Sequence, residues 1–137
     1  MIEAYTFDTD IPVICITATG FPDGVLAAHQ KLHALVAGRG KRKYFGISYP
    51  EEAGNIIYHA AAGAIVAGEA AALHCSSFTI RKGSYNSIFI QDFMTDIPAI
   101  GNAFRQLLAL PGIDPNGYCL EMYEGENDVR CMVPLKN

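Results

Sequence analysis

The chain has 137 residues, of which half are hydrophobic and 18% are charged, so it can bury an ordinary core and intrinsic disorder is excluded. Ten Lys and Arg against fourteen Asp and Glu give a net charge of −4, which disfavours direct binding to nucleic acid. The N-terminus lacks the pattern of a secretory signal, and the longest apolar run is too short to span a membrane. We therefore expect a cytoplasmic protein without membrane contact.

The first half of the chain predicts a strand, a helix and a hairpin, in that order. The run 11–19 is short and β-branched, which is typical of a buried strand. Pro22 suits the first turn of the following helix, whose apolar residues recur at helical spacing until Gly38 ends it. Two strand-like runs, 43–49 and 55–61, are joined by turn residues and should form a hairpin. A solvated basic turn is predicted before this hairpin, at Arg39, Lys41, Arg42 and Lys43.

The second half repeats this order. The run 84–91 predicts a strand, and Thr95 or Asp96 is expected to cap a helix that has a proline in its first turn. The runs 118–123 and 128–135 then predict a second hairpin. Tyrosines recur at the same spacing in the two hairpins, which supports an internal repeat.

Each half also has a leading strand, at 4–7 and at 76–81. We expect 76–81 to pair with 84–91 across Lys82 and Gly83, and 4–7 to pair in the same way within the first half. The sequence thus predicts one domain, 1–137, made of pseudo-repeats at about 1–65 and 74–137. Its fold class is α+β: duplicated strand-helix-strand-strand units form one mostly antiparallel sheet, with two helices on one face and a ligand groove between the halves.

One acidic residue lies in the middle of the second hairpin. Because side chains alternate along a strand, Leu120 and Met122 would pack under the helices while Glu121 and Tyr123 project into the groove. A carboxylate in that position is costly to desolvate unless something pairs with it. The same parity in the first hairpin adds aromatic and apolar groove residues, namely Phe45, Ile47 and Tyr49.

Aromatic walls and one poorly solvated carboxylate favour flat or cationic organic molecules as ligands. In the alternative interpretation, Glu121 pairs with Arg130 on the neighbouring strand, and the tyrosines belong to the core or its rim. The residues alone leave both interpretations open.

Metal and cofactor motifs are weak. His29 and His33 are four residues apart on the predicted helix, which is the spacing of two ligands on one turn, but no third ligand accompanies them and packed or surface histidines are preferred. The four cysteines are widely spaced and are expected to be free buried thiols, and the alternative is a disulfide between Cys119 and Cys131 across the second hairpin. Neither a phosphate-binding loop nor a catalytic triad is present as a motif, so we predict no cofactor and no metal.

Four segments carry a resemblance to a known family: 44–50, 80–85, 118–123 with its Glu-x-Tyr pattern, and 129–135 with its proline near the end. In these segments the chain resembles the GyrI-like small-molecule-binding family, which also provides the effector-binding domains of multidrug-sensing transcription activators. The resemblance implies the duplicated fold and a glutamate that faces bound cationic drugs. By position this glutamate is Glu121, with Tyr123 beside it. Tyr49 is added from the internal repeat, and Tyr85 of the second segment is a further ligand-binding candidate.

Three functions follow from the resemblance. The first is a stand-alone binding protein that sequesters or senses small lipophilic or cationic molecules. The second is a hydrolase of strained cyclopropane-bearing toxins, with Glu121 as the general base. The third is a protein partner role, as an inhibitor of DNA gyrase. Sensor members carry a helix-turn-helix domain ahead of this one, and since both halves use all 137 residues, we expect that this chain is not itself such an activator. The chain has no Trp, so the ligand preference of the family is not transferred.

Overall fold

Short runs of β-branched and aromatic residues form the strands, and two amphipathic segments form the main helices. A computed structural model describes residues 1–136. The eight strands are β1 Ile2–Phe7, β2 Ile11–Thr17, β3 Tyr44–Pro50, β4 Ile56–Gly63, β5 Ser76–Ile80, β6 Gly83–Ile90, β7 Cys119–Glu124 and β8 Asp128–Pro134. The helices are α1 Val25–Val36, the four-residue α2 Glu69–Ala72, and α3 Pro98–Leu108.

All eight strands belong to one antiparallel sheet in the order β1-β6-β8-β7-β3-β4-β2-β5. The two hairpins, β3–β4 and β7–β8, lie side by side at its centre, where β3 pairs with β7. Helices α1 and α3 pack on the same face of this sheet. The predicted α+β fold is therefore confirmed. None of the helices within residues 1–136 is long and apolar enough to cross a membrane.

The predicted pairing of the leading strands is wrong. Strand β1 pairs with β6, where Ile2 lies opposite Ile88, and β5 pairs with β2, where Ile11 lies opposite Ile80. Each leading strand thus completes the sheet of the other half. The Lys82-Gly83 connection resembles a hairpin turn in sequence, but it is a corner between opposite sides of the sheet. The connection between β1 and β2, residues 8–10, lies beside this corner, since the Asp10 carboxylate accepts the backbone N–H of Lys82 at 2.8 Å.

This topology requires the sheet to curl. The two residues between β5 and β6 span roughly 10 Å, yet β5 is an edge strand and β6 lies next to the opposite edge. The two edges must therefore approach one another, as in an incompletely closed barrel. The interior of the curl is filled by strand side chains and not by a groove. Its fully buried members include Phe45, Ile47, Leu120 and Met132.

The predicted cap of α3 is also wrong. Thr95 belongs to a short 3₁₀ turn, Phe93–Thr95, in which its hydroxyl donates to the carbonyl of Asp92 at 2.8 Å. The residue before the helix is Ile97, and no side chain caps the helix there. Pro98, which has no N–H to satisfy, begins the helix as predicted.

Arg42, predicted to lie in a solvated turn, has a fully buried side chain. Its guanidinium donates to both carboxylate oxygens of Glu69, at 2.7 and 2.6 Å, and to the carbonyls of Gly63 and Arg39. Glu69 also accepts the N–H of Ile65 at 2.9 Å. This ion pair ties the segment before β3 to the start of α2. Within residues 1–136, the Nε of Arg42 has no hydrogen-bond partner.

Candidate functional site

Glu121 lies at the centre of the sheet, on the face that carries the helices. It is directly opposite Gly46 on β3 and Cys131 on β8. Cys131 packs against α3, whereas Leu120 and Met122 point into the curled interior. The predicted parity is therefore wrong: the helices and Glu121 share a face, and Glu121 lies between strand β4, which contacts α1, and strand β8, which contacts α3.

The alignment of the predicted repeats led to a second error, in the face assigned to Tyr49. Aligning the tyrosines of the two hairpins shifts Tyr49 onto Tyr123 by an even number of residues. In the structure Gly46 of β3 lies directly opposite Glu121 of β7, so these two residues are on the same face of the sheet. Residues of the two hairpins that share a face therefore differ in number by an odd number and not by an even one. Tyr49 consequently lies on the interior face, away from Tyr123.

Two phenol groups hold the carboxylate of Glu121. The hydroxyls of Tyr58 and Tyr123 both donate to its Oε1, at 2.8 and 2.5 Å, and lie 3.5 Å from each other. Burial raises the pKa of both tyrosines, so both phenols keep their protons. In the part of the chain that the structure describes, the second carboxylate oxygen accepts no hydrogen bond from protein. One oxygen of Glu121 is thus left for a ligand.

His29 of α1 extends this network. Its Nε2 lies 2.8 Å from the hydroxyl of Tyr58. Because that hydroxyl gives its only proton to Glu121, it must accept the N–H of His29, which fixes the tautomer of the imidazole. Burial, together with the nearby His33, lowers the pKa of His29 to about 4. His29 is therefore a neutral donor at pH 7, and a chain of hydrogen bonds connects α1 with the sheet.

Gly46 makes room for this arrangement. A Cβ atom at this position would overlap both the Tyr58 hydroxyl and the carboxylate of Glu121. Two side chains from neighbouring strands can therefore meet above Gly46 only because it has no side chain of its own.

No cation of the described chain neutralises Glu121. Arg130 lies opposite Met122 on the other face, and it pairs with Glu3 and Glu124 at 3.2 Å each. The alternative in which Arg130 pairs with Glu121 is therefore wrong. Burial raises the pKa of the Glu121 carboxyl, and the two tyrosine hydrogen bonds oppose that shift.

Aromatic rings surround the carboxylate. Phe21, which precedes α1, stacks on Tyr58 with a centroid distance of 5.9 Å, and Phe93, which precedes α3, packs against Tyr123 at 5.6 Å. The imidazole of His29 has its edge towards both tyrosines. Phe21 is 47% exposed, while Tyr58 beneath it is 2% exposed. The site is therefore covered by side chains from the segments that lead into the two helices.

Of the other predicted ligand-binding residues, only Tyr123 lies at Glu121. Phe45 and Tyr85 are buried in the curled interior, where the Tyr85 hydroxyl donates to the carbonyl of Arg81 at 2.7 Å. Tyr49 is hydrogen-bonded to His59 at 2.8 Å on the same interior face. The sheet separates these three residues from Glu121.

Sequence reasoning missed Tyr58, Gly46, Phe21 and Phe93, and it placed His29 outside the site. A histidine on the apolar stripe of α1 was the available signal, because a buried imidazole requires a polar partner. Tyr58 gives no such signal, since its face depends on a hairpin register that the sequence leaves open.

Two surface depressions lie away from Glu121. One of about 370 Å³ lies beside α1 at Lys31 and Leu73, and one of about 590 Å³ opens on the interior face near Tyr49. In residues 1–136, no group of three or more His, Cys, Asp or Glu side chains could hold a metal ion. The four cysteines are free thiols.

No known protein family and no curated protein matches this sequence. Several solved structures do match its fold. An integron cassette protein from the mobile metagenome of Vibrio cholerae superimposes with a TM-score of 0.73 at 13% identity, covering 98% of this chain and 95% of that protein. The chain has the fold of this protein.

Two further structures bear on ligands and chemistry. SAV2435 bound to tetraphenylphosphonium matches with a TM-score of 0.66 at 12% identity, over 100% of this chain and 94% of that one. A hydrolase from Listeria innocua matches with a TM-score of 0.65 at 9% identity, over 98% of this chain and 91% of that one. The fold is thus one that, in a structural neighbour, binds a small molecule, and it is compatible with the GyrI-like resemblance.

Proposed function

We propose that the protein binds lipophilic organic cations in the groove between α1 and α3, with Glu121 as the counter-charge. The observation that carries this proposal is the carboxylate itself. It is desolvated, it is held by two phenols, and no cation of the described chain faces it. A poorly solvated anion without a counter-charge is costly, and a cationic ligand offsets that cost.

The surrounding rings suit such a ligand. Faces of aromatic side chains attract cations, and they also stack on aryl groups. Phe21 and Phe93 would contact the organic part of the ligand while the free oxygen of Glu121 faces its positive charge. Because Tyr58 is almost fully covered, a bulky ligand would enter by displacing Phe21 and the segment before α1.

A role in sequestering or sensing such compounds is consistent with the GyrI-like resemblance. The tetraphenylphosphonium-bound neighbour, which has the same fold, supports the ligand class. We infer that Tyr58, Tyr123 and His29 keep the carboxylate in place and that the aromatic side chains determine which cations fit.

Titration with tetraphenylphosphonium tests the proposal. Gln at position 121 can still accept the hydrogen bonds of Tyr58 and Tyr123 but carries no charge. We expect Glu121→Gln to weaken binding by about 10- to 100-fold, because the substitution removes the charge that faces the ligand. Glu126→Gln makes the same change of net charge at the exposed turn of this hairpin and should bind like the wild type. Equal affinities for wild type and Glu121→Gln would remove Glu121 from the site.

The same titration should depend on pH. The folded-state pKa of Glu121 is raised, so its carboxyl gains a proton at a higher pH than the ordinary value of about 4.3. Wild-type affinity should therefore fall as the pH is lowered from the alkaline side to the ordinary carboxyl pKa of about 4.3, while the weaker affinity of Glu121→Gln stays constant. A wild-type affinity that does not change over this range would contradict the role of the carboxylate.

A second candidate function is hydrolysis of strained cyclopropane-bearing compounds. A desolvated carboxylate with a raised pKa and one free oxygen is suited to take a proton from water, and an adjacent phenol can orient the substrate. The hydrolase neighbour has the same fold.

Incubation with a cyclopropane-bearing toxin separates this function from binding. Hydrolysis would add the mass of one water to the compound, and Glu121→Gln should abolish the mass change. A toxin that is bound but recovered unchanged would exclude the enzyme and leave the binding function intact.

A further inference from the structure

A second depression lies on the opposite side of the sheet from Glu121. It has a volume of about 590 Å³ and is bordered by the end of β3, the edge strand β5 and the loop before β7. Its lining includes Tyr49, Phe78, Arg81 and Tyr118. Nothing in the cation-binding site uses these residues, since the sheet lies between the two places.

Phe78 provides an aromatic surface at this position. Its ring lies 6.3 Å from that of Tyr49 at an interplanar angle of 19°, and it packs at 89° against Tyr118, 5.2 Å away. Phe78 is only partly buried because β5 is an edge strand with no neighbour beyond it. His59 is its third aromatic neighbour, at 6.1 Å, and a planar ring in the depression would join this group of rings through the exposed part of Phe78.

Arg81 gives the depression the opposite charge preference from the Glu121 site. Its side chain is 48% exposed, and its guanidinium lies 5.4 Å from the centre of the Tyr118 ring. Its Nη1 donates to Asp114 at 3.2 Å in a partly exposed ion pair. The remaining N–H groups can receive a planar carboxylate through two parallel hydrogen bonds.

The backbone below Arg81 is held rigidly. Tyr118 accepts the N–H of Arg81 at 2.9 Å, and Tyr85 donates to the carbonyl of Arg81 at 2.7 Å. The hydroxyl oxygens of Tyr85 and Tyr118 are 2.6 Å apart. Tyr118 is the donor of this hydrogen bond because Tyr85 already donates its hydroxyl proton to the carbonyl of Arg81. The Asp114 carboxylate, which faces the guanidinium of Arg81, is also held in place, because it accepts the backbone N–H of Asn116 at 2.9 Å. Such preorganisation lowers the entropic cost of binding.

We propose that this depression is a second binding site, for planar aromatic carboxylates. The ring stacks on Phe78, and the carboxylate binds the free side of the Arg81 guanidinium. The protein then has two sites of opposite charge preference, one on each face of its central sheet.

Calorimetric titration with 2-naphthoate tests this site. We expect saturable binding by the wild type, weakened about 10-fold or more in Arg81→Gln, which keeps the backbone bonds of residue 81. Neutral 2-naphthamide should bind weakly and equally to both proteins. Phe78→Leu should weaken the binding of both compounds. Arg105→Gln removes the same charge from α3 and should leave naphthoate binding unchanged.

Glu121→Gln distinguishes the two sites. Naphthoate should bind this variant as tightly as it binds the wild type, and tetraphenylphosphonium should not displace it. Absence of saturable naphthoate binding to the wild type would overturn the second site. So would an affinity that Arg81→Gln does not change, or displacement by tetraphenylphosphonium. The proposal for Glu121 is tested separately, by the tetraphenylphosphonium titration of wild type and Glu121→Gln.

Discussion

Glu69→Gln should lower the free energy of unfolding by about 3–5 kcal/mol, the usual effect of removing one partner from a buried ion pair. The side chain of Arg42 is without solvent contact, so its guanidinium would keep an uncompensated charge, and it would keep at most one of its two hydrogen bonds to residue 69 because an amide NH2 cannot accept the other. Ile65 would retain an oxygen acceptor only if the amide orients towards it. Urea denaturation of both proteins at pH 7 measures the difference.

Glu3→Gln is the matched control, because Glu3 pairs with Arg130 at 3.2 Å but its side chain is 51% exposed. Exposed pairs contribute at most about 1 kcal/mol, so this variant should resemble the wild type. The double variant Arg42→Met/Glu69→Leu should recover part of the stability lost in Glu69→Gln, because it leaves no buried charge unpaired. A Glu69→Gln protein as stable as the wild type would show that the pair is not buried in solution.

The ion pair also predicts a pH dependence. The Arg42 guanidinium lowers the pKa of Glu69 to about 2, so the stabilisation is fully present above the ordinary carboxyl pKa of about 4.3 and is lost as the pH falls towards 2. Between these values, the wild type should lose stability more steeply than Glu69→Gln does.

Gly46→Ala should disturb both the fold and the site. The new methyl group would overlap the Tyr58 hydroxyl and the carboxylate of Glu121, which are fixed by their mutual hydrogen bond and by neighbouring rings. Overpacking of this kind costs about 1–3 kcal/mol. We also expect loss of tetraphenylphosphonium binding, because the carboxylate can no longer occupy its position. Thermal unfolding and the titration described above measure the two effects.

Gly63→Ala is the control for this change. Gly63 ends β4, and a Cβ atom there would meet only the carbonyl oxygen of Lys43, at 4.0 Å. That is an ordinary contact, so stability and binding should remain near the wild-type values. If Gly46→Ala and Gly63→Ala behave alike, the close approach over Gly46 does not matter for the site.

The order of strands and helices could be predicted from the sequence because periodicity and turn residues are local signals. Which side chains of a strand lie on which face of the sheet could not be predicted in this way. Glu121 and Tyr123 were correctly identified as neighbours on one face, but the side of the sheet was assigned from the apolar side chains of Leu120 and Met122, which pack in the curled interior and not under the helices. The alignment of the two hairpins was also shifted, which placed Tyr49 beside Tyr123. A shift of one residue moves every side chain to the other face.

Pairing between distant segments was the other limit. The corner at Lys82-Gly83 has the composition of a hairpin turn, so only the curled sheet reveals that β5 and β6 are not partners. Arg42 was likewise indistinguishable from its solvated basic neighbours, because its partner Glu69 lies beyond the whole first hairpin.

The crossing of β1 and β5 relates the two halves as a strand-swapped dimer relates its protomers, but within one chain. Each half closes an edge of the other, so neither can open alone without uncovering the apolar interior that both share. Glu121 and Gly46 lie at the seam where β3 meets β7. The geometry around Glu121 therefore belongs to a single cooperative unit, and it should persist until the whole sheet unfolds.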